Sequence, residues 1–509
     1  MSTYSGRWTT RAGASLFAAM AAQAISADKP LSPSDVYGPQ ITAAATTAAA
    51  VNPPRRSSST ADTLRYWNQI AIDASGVDHT PVAAGENRVF GEQLGPGRSA
   101  RAMAIVHIAI FDAVNAITGG YRSYTGLARE TRAASIDAAI ATAARSTLVS
   151  MFPSQTANFN SLYVRDLARI PASQDRQRLV GVAVGQRAAM RILAQRADDG
   201  WSGTDPRMHA EWITSDAAGH WRQDPISQAP IALGAHWGEV KPFVMRSRSQ
   251  FRVPPPPAMT SAAYTAAYDE VKRLGGDGVH TPTERSADQT HIGIFWAYDG
   301  TPSLCAPPRL YNQIATEISK NNTSVIQLAR LYALINVAMA DAGIAGWESK
   351  YFYDFWRPVT GIRESDPGTG PSGTGDGNPA TIGDAGFFPL GAPASNLTGP
   401  NFTPPFPAYP SGHATFGAAL FEMLRNVYGT DRVSFTFTSD EFNGETVGND
   451  GQVRPLLPRS FTRLSQAEEE NGQSRIYLGI HWAFDKTAGI QQGRRIADFV
   501  FANAFQRVN

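Results

Sequence analysis

The 509-residue chain contains a single cysteine, Cys305, which excludes an internal disulfide and a cysteine-based zinc cluster. Neither sign of charge dominates, because 45 lysine and arginine residues face 44 aspartate and glutamate residues, a formal net charge of +1. A chain without a net positive field is not expected to bind nucleic acid or an anionic membrane. Because no motif surrounds Cys305, we interpret it as a small buried or loop residue in preference to a nucleophile.

Long apolar runs free of charged or titratable residues are also missing. The two most apolar stretches contain His107 and Asp112 in one case and Arg330 and Asp341 in the other. Such side chains are costly in lipid, so both stretches are predicted to be buried helices and no membrane span is expected. The composition, 42% hydrophobic and 17% charged, indicates a globular protein and argues against global disorder.

The first 60 residues show no apolar period. Arg7 and Arg11 precede an alanine-rich run over 12–24, which is the order of a secretory signal, and residues 28–60 are rich in Ala, Thr, Pro and Ser. We predict a leader and disordered linker over 1–60. Two interpretations of the leader stay open: an export signal, which would place the protein in the periplasm or outside the cell, and a disordered tail on a soluble protein.

The remainder of the chain, 61–509, has few of the alternating patterns typical of strands, and the best short candidate is 433–437. Helical periods recur instead, as between Val180 and Ile192, where every fourth residue is apolar. We predict an all-α fold with one or two helical bundles and long Gly/Pro-rich loops. The prediction is one large helical domain over 61–509, with the active site within 295–490.

One irregular segment, 366–410, is dense in glycine and proline. Gly368, Gly370 and Gly373 have the spacing of a dinucleotide-binding loop, but Pro371 lies among them and no strand pattern precedes them. We reject that motif, because it needs a strand before it and a helix after it to place a pyrophosphate. A loop of this length is more often functional or capping than idle.

The first of three chemically informative clusters contains Lys350 and Arg357. Seven residues apart on a helix, they would differ by about 20° around the axis and project from one face, two turns apart. Aromatic neighbours suggest that one or both cations are at least partly buried and need an anionic partner: Tyr351, Phe352, Tyr353, Phe355 and Trp356. The alternative is a solvated helix face with basic residues near its end.

The second cluster is Pro410-Ser411-Gly412-His413, which precedes a helical run. Ser411 is a good N-cap residue, and Gly412 lets the backbone approach a ligand closely, so the exposed amides and the helix dipole favour an oxyanion. His413 would lie in the first turn, beside that anion. An ordinary capped helix with a surface histidine is the alternative.

The third cluster contains Ser474, Arg475, Gly479, His481 and Asp485. Asp485 can accept a hydrogen bond from one ring nitrogen of His481, which leaves the other nitrogen free to bind a metal or attack phosphorus. On an unbroken helix Arg475 and His481 would lie about 120° apart. Arg475 and His481 can therefore contact one ligand only if the ligand lies beside the helix between them or if the helix breaks near Gly479. The alternative is a core histidine satisfied by a carboxylate.

Together the clusters supply three cations, a helix N-terminus and two histidines, which suit a tetrahedral oxyanion of phosphate or vanadate size. Their order resembles the signature of the vanadium-dependent haloperoxidase family, within the type 2 phosphatidic acid phosphatase superfamily. Further segments, 295–300 and 404–409 among them, are similar to the fungal-type vanadium chloroperoxidases. The resemblance implies vanadate as the cofactor and halide oxidation by hydrogen peroxide to hypohalous acid. An organic acceptor is a further candidate partner, and the oligomeric state is not indicated.

The resemblance also implies residue roles. His481 would coordinate vanadium, His413 would be the acid–base group for peroxide, and Asp299 would orient Arg475. Lys350 would polarise the peroxide, and an apolar halide pocket would include Phe406 and Trp347. The oxygens of vanadate would be held by Lys350, Arg357, Ser411, the Gly412 amide and Arg475.

Two other functions use the same residues. In an acid phosphatase of the superfamily, His481 would be the nucleophile that forms a phosphohistidine, Asp485 would orient it, and His413 would protonate the leaving group. In a non-catalytic protein, the pocket would bind an oxyanion without turnover.

Overall fold

The computed structural model describes residues 32–43 and 59–508, and helices dominate this part of the chain. The helices are α1 (Pro33–Tyr37), α2 (Thr60–Asp78), α3 (Gly95–Thr118), α4 (Ile136–Met151), α5 (Thr156–Leu167), α6 (Asp175–Gln195), α7 (Ala262–Leu274), α8 (Ala287–Phe295), α9 (Pro307–Ile318), α10 (Val325–Tyr353), α11 (Pro358–Arg363), α12 (Gly412–Tyr428), α13 (Leu464–Tyr477) and α14 (Ala483–Asn503). The strands are β1 (Thr42–Ala43), β2 (Leu397–Thr398), β3 (Phe435–Phe437) and β4 (Arg459–Phe461). The predicted all-α fold is confirmed.

The strands form two short antiparallel ladders, β1 with β2 and β3 with β4. Strand β3 lies within the range 433–437 that was predicted as a strand candidate. Between the end of α11 at Arg363 and the start of α12 at Gly412, a stretch that the structure describes throughout, β2 is the only strand and no helix occurs. This is the predicted Gly/Pro-rich loop, and it delivers the chain to α12.

Serine side chains fix where several helices begin. Each accepts a hydrogen bond from the backbone N–H three residues further on, which satisfies one of the free donors of the first turn. The residues with this role are Ser59, Ser135, Ser261, Ser286 and Ser411. Local sequence therefore sets these helix starts.

The helices pack as two bundles that meet along α3 and α10. Helices α2 to α6 pack on one another in the N-terminal half, and α12 packs along both α10 and α14 in the C-terminal half. By length and composition α3 and α10 could each cross a membrane, but 94% of the most apolar window of each is buried against the rest of the protein. Their charged residues are satisfied there: Asp341 accepts backbone N–H groups from 243–245, and Asp112 accepts those of 124 and 125.

The boundary of the folded part is corrected by the structure. Residues 32–43 were predicted as linker, yet α1 and β1 pack onto the body, with Tyr37 1% and Ile41 2% exposed. One compact unit begins at Ser32 instead of residue 61. The segment is too short to show an apolar period, so periodicity could not predict a helix there. The predicted signal and residues 44–58 lie outside the described residues. Cys305 is buried, as predicted.

Candidate active site

Lys350 and Arg357 converge, but not from one helix face as predicted. Helix α10 ends at Tyr353, Asp354 adopts a left-handed conformation, and Arg357 is the N-cap of α11. The chain therefore turns between the two cations, and the predicted angle of about 20° does not apply. Both charged groups approach the Phe406 ring, with Lys350 Nζ 5.1 Å and Arg357 Cζ 5.0 Å from its centroid.

Backbone carbonyls hold these two cations. Lys350 Nζ donates to Pro407 O at 2.8 Å and Ala408 O at 3.0 Å. Arg357 donates through Nε to Phe406 O at 2.9 Å and through Nη2 to Pro404 O at 3.3 Å. Lys350 is fully buried and Arg357 is 1% exposed. Within the described residues neither cation has a carboxylate within ion-pair distance, so their positive charge stays available to an anion.

The second cluster forms the N-terminus of α12, as predicted. Ser411 is the N-cap, and its side chain accepts the Ala414 N–H. A Cβ atom at Gly412 would lie 3.2 Å from the Trp347 ring and 3.9 Å from Lys350 Cε, so the backbone passes close to both. His413 lies in the first turn, and its Nε2 is 2.5 Å from Ala297 O. A carbonyl only accepts hydrogen bonds, so Nε2 carries the proton and Nδ1 is the basic atom.

The third cluster is divided by the predicted helix break. Helix α13 ends at Tyr477, Gly479 has φ +72°, and α14 begins at Ala483. His481 therefore lies before α14, and Asp485 lies in its first turn, where Oδ2 accepts from His481 Nδ1 at 2.7 Å and from Trp482 N–H at 3.0 Å. The predicted pair is present, although the two residues do not share a helix. Arg357 Nη1 lies 2.9 Å from His481 Nε2, which must accept because a guanidinium only donates.

Asp299 contacts Arg475 directly. Arg475 Nη2 donates to Asp299 Oδ1 at 2.6 Å, and the same oxygen lies 4.0 Å from His413 Nε2. Arg475 is fully buried, and its Nε and Nη1 atoms have no hydrogen-bond partner in the described part of the chain. Buried donors are normally paired, so these two atoms indicate where an acceptor belongs.

Burial shifts the pKa values of four groups in the cluster toward their neutral forms. Burial and the charge of Arg357 lower the pKa of Lys350 well below its ordinary value. Burial lowers the pKa of His413, helped by Arg475, and that of His481, helped by Arg357. Burial also raises the pKa of Asp485 to about 7. An anion among the cations would oppose the shifts on Lys350 and both histidines, because it favours their charged forms.

A cavity of about 40 Å³ opens onto these groups. The polar part of the lining includes Gly412, His413, Arg475 and His481. The apolar side of the lining consists of Trp347, Phe402, Pro404, Pro405 and Phe406. Lys350, Arg357 and Ser411 do not line the cavity themselves. The Phe406 and Trp347 rings lie 4.9 Å apart in the apolar part of the lining, and the halide pocket at these residues stays a prediction.

These residues fit an oxyanion better than a bare metal cation. In the part of the chain that the structure describes, no group of three or more His, Cys, Asp or Glu side chains could hold a metal ion. The cluster offers instead cations, a helix N-terminus and one histidine lone pair, the donor set for an oxyanion whose central atom accepts a single protein ligand. Vanadate fits this set.

Sequence reasoning missed part of the cavity wall. Val36 and Tyr37 of α1 line it beside the charged groups, as does His79 from the end of α2. The available signal was Ser32-Pro33, since a serine N-cap followed by proline at the first helical position is typical of a helix start.

The fold and the site define a protein of two helical bundles with a buried cationic pocket beside an apolar wall. The family model for the "VCPO second helical-bundle domain" matches residues 330–509. The vanadium chloroperoxidase of Curvularia inaequalis is 31% identical over 503 residues, which covers 84% of this chain and 79% of that protein. The chain therefore belongs to the vanadium haloperoxidase family.

Solved structures share the fold. The first bacterial vanadium-dependent iodoperoxidase superposes with a TM-score of 0.67 at 23% identity, covering 90% of this chain and 100% of that one. A holo-type bacterial vanadium-dependent chloroperoxidase gives a TM-score of 0.60 at 18% identity, covering 82% and 93%. At these identities the likeness concerns the fold alone.

Proposed function

We propose that this protein is a vanadium-dependent haloperoxidase that oxidises halide with hydrogen peroxide and releases hypohalous acid. One observation carries the proposal: His481, held by Asp485 through Nδ1, presents Nε2 beside buried cations and the N-terminus of α12. Membership of the vanadium haloperoxidase family supports it, since the curated relative is a vanadium chloroperoxidase. No observation favours the phosphatase or the non-catalytic alternative.

Bound vanadate would supply a Lewis-acid centre that activates peroxide toward halide. His481 would be the one protein ligand to vanadium. Its Nδ1–H bond to Asp485 fixes the tautomer and leaves the lone pair on Nε2, which accepts from Arg357 Nη1 in this structure and would bond vanadium instead when vanadate is bound. Around it, Lys350, Arg357 and Arg475 would offset the negative charge of the oxyanion, and the Ser411 hydroxyl and the Gly412 amide would donate to its oxygens.

His413 is the proposed acid–base residue. With Nε2 donating to Ala297 O, Nδ1 is free to take a proton from peroxide and return it later. The lowered pKa keeps the imidazole neutral at physiological pH, which is the form that a base requires. Lys350 would polarise the peroxide through its buried ammonium group, and Asp299 would position Arg475.

Halide would approach from the apolar side, between Trp347 and Phe406. Because that side has few polar groups, it binds little water that could compete with the incoming halide. An organic acceptor is a further candidate partner for the oxidised halogen. We also propose export from the cell, which rests only on the pattern between Arg7 and Ala24.

Reconstitution tests this function. Purified protein freed of bound oxyanion should oxidise chloride, bromide or iodide with peroxide only after orthovanadate is added. Phosphate should suppress the activity, because both tetrahedral anions compete for the same cations. Full halide oxidation by vanadate-free enzyme in phosphate buffer would contradict the assignment. Efficient hydrolysis of a phosphate monoester without halide oxidation would favour the phosphatase.

A further inference from the structure

The cavity has one wall that comes from outside the two bundles. Val36 and Tyr37 of α1 line it, although the predicted active-site residues all lie between 295 and 490. Tyr37 is 1% exposed and Val36 6%, so both side chains are enclosed. Enclosure of apolar side chains at the edge of a charged pocket keeps water away from that pocket.

Tyr37 joins two loops that carry active-site residues. Its hydroxyl donates to Gly300 O at 2.7 Å, one residue after Asp299. Its ring centroid lies 6.1 Å from that of Phe402, which also lines the cavity and leads into the segment that holds Lys350 and Arg357. Tyr37 therefore contacts the charged side through Gly300 and the apolar side through Phe402.

The segment 32–43 is seated by several independent contacts. Thr42 of β1 pairs with Thr398 of β2, and Asp35 forms an ion pair with Arg207 at 2.9 Å. Gly38, at φ +105°, passes so close to the body that a Cβ atom would lie 1.8 Å from Ser227 O. Only glycine suits that conformation and that approach, so the position of α1 is specified by its own sequence.

We infer that Tyr37, together with Val36, is a specificity-determining residue: it closes one wall of the cavity and thereby favours small halide ions over larger ones. This inference rests on the proposed function. A closed apolar wall strips water from the incoming ion and limits its size. Among chloride, bromide and iodide, chloride is the smallest ion and the hardest to oxidise, so its oxidation depends most on a dry and tight pocket. Iodide, which is larger and easily oxidised, depends on it least.

The experiment uses the full chain with Tyr37→Ala, Val36→Ala and the matched control Tyr428→Ala, a tyrosine 39% exposed at the far end of α12. The first measurement is kcat/KM for chloride and iodide in vanadate-loaded enzyme. Tyr37→Ala should lower the chloride-to-iodide ratio about tenfold, as expected when an apolar pocket loses a large contact. Val36→Ala should lower it less, and Tyr428→Ala should leave it unchanged.

The second measurement does not depend on turnover. Bound orthovanadate is chased with excess phosphate, and its release is followed with time. Tyr37→Ala should release vanadate several-fold faster, because loss of the Tyr37 ring opens that wall of the cavity. Tyr428→Ala should release vanadate at the wild-type rate. Tyr37→Phe keeps the ring and loses the hydrogen bond to Gly300 O. Its rate of vanadate release should lie between those of the wild type and Tyr37→Ala.

An unchanged halide ratio together with an unchanged release rate in Tyr37→Ala would overturn the inference. If Tyr37→Ala does not fold, Val36→Ala decides by the same two measurements. If the wild type oxidises no halide, the proposed function fails, and the release rate still decides whether Tyr37 closes the cavity.

Discussion

Asp485 accepts the Nδ1 proton of His481 at 2.7 Å and, through the same oxygen, the backbone N–H of Trp482 at 3.0 Å. The carboxylate therefore performs two tasks, since it caps the first turn of α14 and fixes the imidazole that immediately precedes that helix. The orientation of the His481 ring is therefore coupled to the first turn of α14 through one carboxylate oxygen. The residue proposed to bind vanadium is thus held by a helix terminus and not by a flexible loop.

Replacement of His481 by alanine should abolish stable vanadate binding, because it removes the only protein atom proposed to bond the metal. We expect at least about a hundredfold weaker affinity in equilibrium dialysis. His280→Ala is the matched control, since His280 forms a similar 2.7 Å pair with Asp277 but is solvent-exposed. Retention of wild-type affinity in His481→Ala would place the ligand elsewhere.

Asp485→Asn tests the orienting role separately. The amide oxygen can still accept from Nδ1 or Trp482, but the negative charge beside the imidazole is lost, so we expect roughly tenfold weaker vanadate binding. Circular dichroism should show an intact fold. An affinity equal to that of the wild type means that the charge of Asp485 does not support His481.

His413→Ala should separate binding from turnover. The variant keeps His481 and the three cations, so vanadate should still bind, while loss of the proton acceptor slows turnover about a hundredfold or more. Steady-state kinetics at saturating peroxide, with vanadate occupancy measured in parallel, provides the test. Unchanged turnover at full occupancy would assign His413 a structural role.

Phe406→His should change the choice of halide. The ring lies against Trp347 and above both Lys350 and Arg357, so an imidazole there would admit water and add a titratable group beside the cations. We expect the wild type to oxidise chloride more slowly than bromide, and the variant to lose about tenfold more chloride than bromide activity. Phe352→His, at a phenylalanine that is 57% exposed, is the control. An unchanged ratio means that Phe406 does not set selectivity.

The lowered pKa of His413 predicts a pH dependence of stability. As the pH falls through 6.5, the ordinary value, the unfolded chain takes up a proton that the native protein refuses, so the native state loses stability relative to the unfolded state. The comparison is with His413→Gln, because buried carboxylates such as Asp485 act in the opposite direction in both proteins. Thermal unfolding at about pH 7.5 and about pH 5 should show a larger acid loss in the wild type than in the variant. Saturating phosphate should reduce this difference, since an anion raises the pKa of His413; equal losses in both proteins would contradict the prediction.

The sequence predicted the residues of the site better than their geometry. The N-cap at Ser411, the pairing of His481 with Asp485 and the break at Gly479 follow from local rules, because each depends on neighbours within a few residues. The convergence of Lys350 and Arg357 does not. A left-handed residue at Asp354 ends α10 between them, and the Asp354 side chain pairs with His220, which lies 134 residues away in the chain.

The contribution of α1 to the cavity wall could not be predicted from local rules for a different reason. Tyr37 contacts Gly300, 263 residues away in the chain, and β1 pairs with β2 across a separation of more than 350 residues. A twelve-residue segment with three apolar anchors has no period of its own, so only the surface that it packs against reveals its function.

The proline-rich segment 404–408 has a consequence for competition between anions. Its prolines lack N–H groups, and four of its carbonyl oxygens, at 404 and 406–408, face Lys350 and Arg357. Dipoles orient these cations without cancelling their charge, as carboxylates would. A dianionic oxyanion therefore gains more from the pocket than a monovalent halide does, although both enter the same cavity. Halide in large excess over vanadate should accordingly leave the oxyanion in place, so we expect the enzyme to keep its cofactor at high concentrations of its own halide substrate.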